Sequence, residues 1–499
     1  MSRFKINRYH WEVLALFVMM LLNFIALPLS GGESQYLSFA KQYMNPEWIP
    51  GSFSLSEFPG TRIFFQYIFG WPLHYLDIET ASILYRAFNF FLIAFPLAKI
   101  FRKLTLPFIP SLFMFQIFLS GQSLMAKEWM IGTFEPKTIA YVFFLWAFYF
   151  FLQKKRMACI LSALAACFFH VIVGGWFLIA LLIVAVWNGS WKKYIKASIV
   201  LLLLFAPFLF YLSPLFSSPD SLNGELSANH IYVYFRLPHH LGIAKSLDYF
   251  LSIHLSNSIL TLLFFTLGIL AHKKKVQADL SPWIIVGFGI SMLYIALAFI
   301  DSFLLNQAGS LGLKYYPFRL NSFAYLLFLM LASLFIVRLK IFDLHKKRLH
   351  VLFLSTCVLF SVVRCYKGFE RKAEFASMKQ YHDMCKHAEN ISQKGDVFLF
   401  NAREAYGWKY YNFSVFSNRE NYSIYKFVPA ETIKLMKWYE RIQKQKDFKR
   451  GDRAPDIFFE KESIDFLINE EPLDHPSFKL EYQNAEYYLY SFKGDRINF

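Results

Sequence analysis

Cysteine is sparse, with five in 499 residues and no two spaced as CxxC. That excludes a disulfide-stapled secreted domain and favours buried packing over a redox or thiolate metal site. Cys159, Cys167 and Cys357 lie in apolar runs and read as small buried hydrophobes, while Cys365 and Cys385 lie beyond the last run. Charge is also scarce, at 17 % of residues against about 25 % in a soluble domain. No internal repeat and no low-complexity segment appears, which argues against a repeat architecture and a disordered chain. Acidic residues are the rarer sign: 35 Asp and Glu stand against 52 Lys and Arg, a net charge of +17.

Such an excess fits a nucleic-acid partner only when the cations gather on one surface. Here they fall in short clusters between apolar runs, such as Lys154-Lys155-Arg156 and Lys273-Lys274-Lys275. That is the pattern of cytoplasmic loops in a polytopic membrane protein, and no nucleic acid is expected as a partner.

What the chain has in abundance is hydrocarbon and aromatic side chains, 56 % hydrophobic overall with 59 Phe. A helix needs about 20 apolar residues to cross a bilayer. About eleven segments meet that pattern, at 11–29, 82–101, 106–120, 137–153, 157–172, 174–188, 197–213, 248–271, 281–301, 318–337 and 350–363. The pair around Gly174-Gly175 is also readable as one re-entrant unit. The first run follows Arg3, Lys5 and Arg8 without a small-residue cleavage site, so it reads as a retained span.

With the N-terminus in the cytoplasm, the loops that alternate to the inside are several-fold richer in Lys and Arg than those outside. The apolar run 62–75 then reads as an amphipathic helix along the outer interface, within a first outer loop of residues 30–81. The C-terminal region also falls outside. From about Tyr366 charge rises and apolar runs shorten to strand length. Val397-Phe398-Leu399-Phe400, 422–427 and 464–468 read as strands, 478–482 and 487–492 as a hairpin around Asn484, and 431–445 as a helix. The expected fold is a polytopic α-helical membrane domain over 1–365 with a small C-terminal α/β periplasmic domain over 366–499.

Polar residues at membrane edges are costly and therefore a functional hint. In this topology they gather on the outer face. Glu33 opens the first outer loop in Gly31-Gly32-Glu33-Ser34-Gln35-Tyr36; it suits a general base, and equally a helix's first turn. Lys127-Glu128 precedes Gly132-Thr133-Phe134-Glu135-Pro136-Lys137, where Glu135 and Lys137 are either a charge pair lining a pocket or a cap and a snorkelling lysine. His170 ends the fifth span. Arg236, His239 and His240 in the loop 214–245 form a candidate phosphate clamp, as do Lys314 and Arg319 before the tenth span. Each is also an ordinary loop or snorkelling residue. The paired histidines could instead bind a divalent metal, but two alone are too few to call for one, and no cofactor is expected.

These residues resemble the GT-C glycosyltransferases, membrane enzymes that use polyprenyl-phosphate-linked sugars and include protein O-mannosyltransferases and lipid A aminoarabinose transferases. Glu33, Tyr36 and Ala40 match the spacing that opens that superfamily's first outer loop, although Gly32 stands where an Asp is usual. Phe58-Pro59-Gly60-Thr61 and the helix to Gly70 resemble the loop's proline and amphipathic helix, and Arg86 matches the arginine early in the second span. Phe134-Glu135-Pro136-Lys137, Phe169-His170 and the Arg236 to His240 stretch resemble a bacterial subgroup.

The resemblance implies a glycosyltransferase of a bacterial inner membrane. It would move a hexosyl or pentosyl unit from a polyprenyl-phosphate carrier to a glycan, lipid or protein acceptor on the periplasmic face. Glu33 would be catalytic, and Tyr36, Arg86, Glu135, Lys137, His170, Arg236, His239, His240, Lys314 and Arg319 would bind substrate. The alternatives are a polysaccharide polymerase or ligase using a lipid diphosphate, a transporter, and a non-catalytic membrane scaffold.

Overall fold

The computed structural model of the chain describes residues 8–122, 124–215, 226–401 and 407–493. Arg3 and Lys5, used above for the first span, lie outside them. Among the described residues, thirteen helices of eight or more residues lie up to Ala376: α1 (Arg8–Phe24), α2 (Gly31–Met44), α3 (Ile63–Gly70), α4 (Ile78–Lys103), α5 (Phe108–Gly121), α6 (Pro136–Leu152), α7 (Arg156–Phe169), α8 (Val171–Trp187), α9 (Ile195–Tyr211), α10 (Leu255–Lys273), α11 (Ser281–Phe303), α12 (Arg319–Arg338) and α13 (Lys340–Ala376). Every one of the eleven apolar segments is helical. A backbone in hydrocarbon has no water to bond to, and a helix satisfies its N–H and C=O groups internally. Among the described residues six stretches are long and apolar enough to cross a membrane, at Ile78–Lys103, Trp191–Tyr211, Leu247–Lys273, Ser281–Phe303, Arg319–Arg338 and Leu344–Ala376, while α5 to α8 are shorter.

Two details differ from expectation. The turn between α7 and α8 lies at His170, and α8 runs unbroken through Gly174 and Gly175. Gly174 is there for close packing, because a Cβ would lie 2.5 Å from the Cys167 sulfur. The change of composition at Tyr366 does not end a helix either: α13 continues to Ala376 with a kink at His345, and the two units divide within it at Gly368–Phe369.

The chain divides into two compact units. The first comprises Met1–Ala26, Ile83–Tyr211 and Gly224–Gly368, and the second Leu27–Ser82, Leu212–Asn223 and Phe369–Phe499. The first outer loop therefore goes with the C-terminal region.

In the helical unit the basic ends converge. Lys99 near the end of α4 stands 5.1 Å from the Tyr9 ring and 5.7 Å from the Tyr149 ring of α6. Phe148 and Phe151, at the end of α6, meet Trp283 at the start of α11. His272 bonds Ser281 across the α10–α11 turn and meets Trp187 at the end of α8. At the other ends, Tyr85 of α4 stacks on Phe134 just before α6, and Tyr141 of α6 donates to the Arg319 carbonyl that opens α12.

The second unit adds α14 (Lys379–Ile391), α15 (Trp408–Ser417), α16 (Thr432–Lys449), α17 (Pro455–Glu462) and strands β1 (Val397–Asn401), β2 (Glu420–Asn421), β3 (Phe466–Asn469), β4 (Phe478–Gln483) and β5 (Tyr488–Phe492). The sheet order is β2-β1-β3-β5-β4. β1 pairs in parallel with β2 and β3, while β5 is antiparallel to β3 and β4. Helices cover both faces, which is why β1 is a continuous apolar run. Leu399 packs with Phe458 and Phe459 on one face, and Phe398 and Phe400 meet Phe413 on the other. The hairpin turns on Asn484, whose side chain accepts from Glu486 and Tyr487 amides. The expected strand over 422–427 is not formed. Glu420 and Asn421 pair with β1 and the Tyr422 amide still donates to the Phe398 carbonyl, but beyond it Tyr410 and Trp438 take the carbonyls of Ser423 and Ile424.

The loop Leu27–Ser82 is tied into this unit by carboxylates. Buried Glu420 accepts from Ser52 and from the Ser54 amide, and Glu57 accepts from Arg62 and the Ala430 amide. Burial pushes the Glu420 carboxyl up despite these bonds.

Candidate active site

The helical unit carries a buried group of charges where α6 and α12 begin. Arg319, the first residue of α12, donates from Nη1 to Glu128 Oε2 at 2.5 Å. Both side chains are under a tenth exposed. Arg319 also lies over the Tyr316 ring at 4.6 Å, and Tyr141 holds its carbonyl at 3.2 Å. Beside them Lys137 stands 3.6 Å from the Glu135 carboxylate and 3.6 Å over the Trp129 ring. Glu135 is the N-cap of α6, with Pro136 at its first position, so its placement follows from local helix-start chemistry.

Glu128 is held by an unusual loop. Ala126 and Lys127 both take positive φ, at 52° and 53°, a conformation that costs about 1–3 kcal/mol per residue. Three contacts hold it there. The Glu128 amide closes on the Met125 carbonyl, Ser322 donates to the Glu128 carbonyl, and His240 Nδ1 meets the Ala126 carbonyl at 2.5 Å. A carbonyl only accepts, so His240 Nδ1 carries a proton. Gln122 closes the same loop by accepting from the Met130 and Ile131 amides.

The segment with Arg236, His239 and His240 reaches this loop through His240. Arg236 ends a π-helical turn, Ile231–Arg236, and is buried. The His239 and His240 rings are 4.2 Å apart, and His240 lies 6.2 Å from the Tyr316 ring. Tyr234 and Asp301 secure the segment: Tyr234 donates to Asp301 at 2.5 Å, and the Asp301 carboxylate also accepts the Gly309 and Ser310 amides. Lys314 lies in the turn before Tyr316, 5.7 Å from the Tyr315 ring. The Tyr315 carbonyl in turn accepts from Trp176 of α8 at 2.6 Å. His170 is the N-cap of α8, its Nδ1 accepting the Val173 amide at 3.3 Å. Arg86 of α4 is fully buried, with Nη1 3.4 Å from the Phe24 carbonyl.

Glu33 and Tyr36 belong to the second unit. Glu33 is completely buried at the third position of α2. Its Oε2 accepts the Ser30 amide at 3.0 Å while Ser30 Oγ accepts the Glu33 amide at 3.1 Å, a reciprocal capping box. The helix-start reading of Glu33 is thus observed. Residues 33, 36 and 40 share one helical face. Tyr36 meets Phe65 of α3 at 6.4 Å, and Ala40 lies where Gly70 lets the two helices touch.

No protein-family model matches the chain, and no curated protein does. Among solved structures it is similar to ArnT from Cupriavidus metallidurans in the apo state, at 10 % identity over 97 % of this chain and 98 % of that one, with a TM-score of 0.42. It is likewise similar to that protein bound to undecaprenyl phosphate, at 11 % identity, the same coverage and a TM-score of 0.36. These superpositions are loose, and the chemistry rests on this chain's own residues.

Within the helical unit the structure brings Glu135, Lys137 and Arg319 to one pair of helix starts, with His240 on the adjoining loop. Sequence reading passed over Glu128, Tyr141, Tyr316 and Asp301. Glu128 stands out in the sequence only as the neighbour of Lys127 in an outer-facing stretch, with no role assigned. Among the described residues no three His, Cys, Asp or Glu side chains gather as a metal site. Fixed guanidinium and ammonium donors in apolar surroundings are suited to an oxyanion.

Proposed function

We propose that this chain is a GT-C-type glycosyltransferase of a bacterial inner membrane. It takes a sugar from a polyprenyl-phosphate carrier and gives it to a glycan, lipid or protein hydroxyl on the periplasmic face. The N-terminus is cytoplasmic and the second unit periplasmic. The observation that carries this reading is the buried Glu128–Arg319 pair beside Glu135–Lys137 at helix starts. Charges in that position are expensive and mark function. In the reaction Arg319, Lys137, Arg236, His239 and Lys314 neutralise the carrier phosphate as the sugar leaves. Glu33 takes the acceptor proton or orients the acceptor, Tyr36 binds substrate, and in the helical unit Arg86, Glu135, His170 and His240 shape the pocket.

The test is binding of undecaprenyl phosphate to the detergent-purified protein, followed by native mass spectrometry. Wild type should bind and Arg236→Ala should lose at least about tenfold in affinity, as expected for a charged hydrogen bond. A folded wild type that binds none of it overturns the reading.

One observation favours a second reading. Glu33 is already employed in the capping box, as a lipid-diphosphate polymerase or ligase without a Glu33 base would allow. In that case Arg236 and His239 are needed for activity and the Glu33 carboxylate is not.

A further inference from the structure

The basic end of the helical unit holds a pocket of about 450 Å³, lined by Tyr9, Lys99, Arg102, Lys103, Tyr149 and Gln153. It is built from three helices far apart in sequence. Lys99 stands within 5.1–6.0 Å of three aromatic rings, Tyr9, Trp146 and Tyr149. Arg102 is aimed by Glu12, which accepts its Nε at 2.5 Å, and it lies 5.2 Å from the Tyr9 ring. Gln153 donates to the Tyr149 hydroxyl at 3.2 Å. Neither Lys99 nor Lys103 has a carboxylate within 4 Å among the described residues. The pocket thus presents two lysines and an oriented arginine to whatever enters it.

We propose that this pocket binds the phosphate headgroup of an anionic membrane phospholipid. Three features favour a lipid over a soluble anion. The rings around Lys99 are of the kind that sit at the headgroup level of a bilayer. Just beyond the pocket, Tyr9 reaches the Phe95 carbonyl and Phe17 meets Phe91, so α1 and α4 run side by side. Their outward residues there, Trp11, Leu14 and Val18 on α1 and Phe88 and Phe91 on α4, are apolar and exposed, a surface for acyl chains. A cationic pocket continuing into an apolar stripe matches a phospholipid, with phosphate at one end and hydrocarbon at the other. The site lies at the helix ends opposite Arg319 and does not depend on the proposed transferase reaction.

The experiment is native mass spectrometry of the delipidated full-length protein with added phosphatidylglycerol or phosphatidylcholine. Wild type is expected to retain phosphatidylglycerol in preference to phosphatidylcholine. The double variant Lys99→Gln, Lys103→Gln should weaken phosphatidylglycerol retention on the order of tenfold or more, and the exposed Lys103→Gln alone about fivefold. Retention of phosphatidylcholine should not change. Equal retention of the two lipids by wild type overturns the proposal. So does unchanged phosphatidylglycerol retention in the double variant or, should that variant not fold, in Lys103→Gln. Inorganic phosphate at millimolar concentration is the third arm. Stabilisation of wild type but not of Lys103→Gln, without any lipid preference, assigns the pocket to a soluble anion and also overturns it.

Discussion

Arg319 and Glu128, 191 residues apart, meet at 2.5 Å with both side chains buried. Removing one member of such a pair leaves an uncompensated charge in an apolar environment. Glu128→Leu should therefore destabilise the protein by about 3–5 kcal/mol, read as a lower melting temperature in detergent. The double variant Glu128→Leu, Arg319→Met should recover most of that loss, yet bind undecaprenyl phosphate no better than Arg319→Met alone.

Substitutions at Glu33 distinguish its observed capping role from the proposed catalytic one. Glu33→Gln keeps a side-chain oxygen for the Ser30 amide, so its melting temperature should stay near wild type, whereas Glu33→Ala should lose about 1 kcal/mol. Sugar transfer should fall at least about a hundredfold in both, the usual contribution of a positioned base. Full transfer activity in Glu33→Gln would remove the catalytic role and favour the second reading.

Gly70 lets α3 approach α2. A Cβ there would lie 2.3 Å from the Ala40 carbonyl oxygen. Alanine is the better helix former by about 1 kcal/mol, but the overlap requires the helices to part. Gly70→Ala is expected to destabilise by about 1–3 kcal/mol net, the range for overpacking. An unchanged melting temperature would show that the two helices move apart freely.

Glu462 confers a pH dependence on the second unit. Burial pushes its carboxyl up, but hydrogen bonds from Lys444 and Tyr422, both at 2.6 Å, outweigh burial and hold it below its ordinary value. A carboxyl lowered on folding contributes stability above its unfolded pKa and loses it as pH falls through the folded one. Glu462→Gln should therefore melt below wild type at neutral pH, and the gap should close on acidification below about pH 4. A gap that stays constant with pH would assign the loss to packing.

The positions of the helices were legible because each apolar run meets its hydrogen-bonding needs within itself, whatever its neighbours are. The strand at 397–400 and the hairpin at Asn484 were legible for a similar reason, as alternation and turn chemistry are local. Residues 422–427 were not, since their apolar character fits a strand equally well. Which carbonyls remain for pairing with β1 depends on Tyr410 and Trp438, which arrive from elsewhere in the chain.

Apolar length and local pattern were enough to give about eleven apolar helices with a mixed α/β region after them, and they marked Glu135, Lys137, Arg236, His240 and Arg319 as polar residues needing explanation. Their partners came from the packing of distant segments. It set Glu128 against Arg319, put His240 on the Ala126 carbonyl, and joined Leu27–Ser82 to Phe369–Phe499 through Glu420 and Glu57. The physical reason is range. Helix formation is settled within a few turns of chain, whereas the partner of a buried charge is settled by which helix ends the packing brings within about 4 Å.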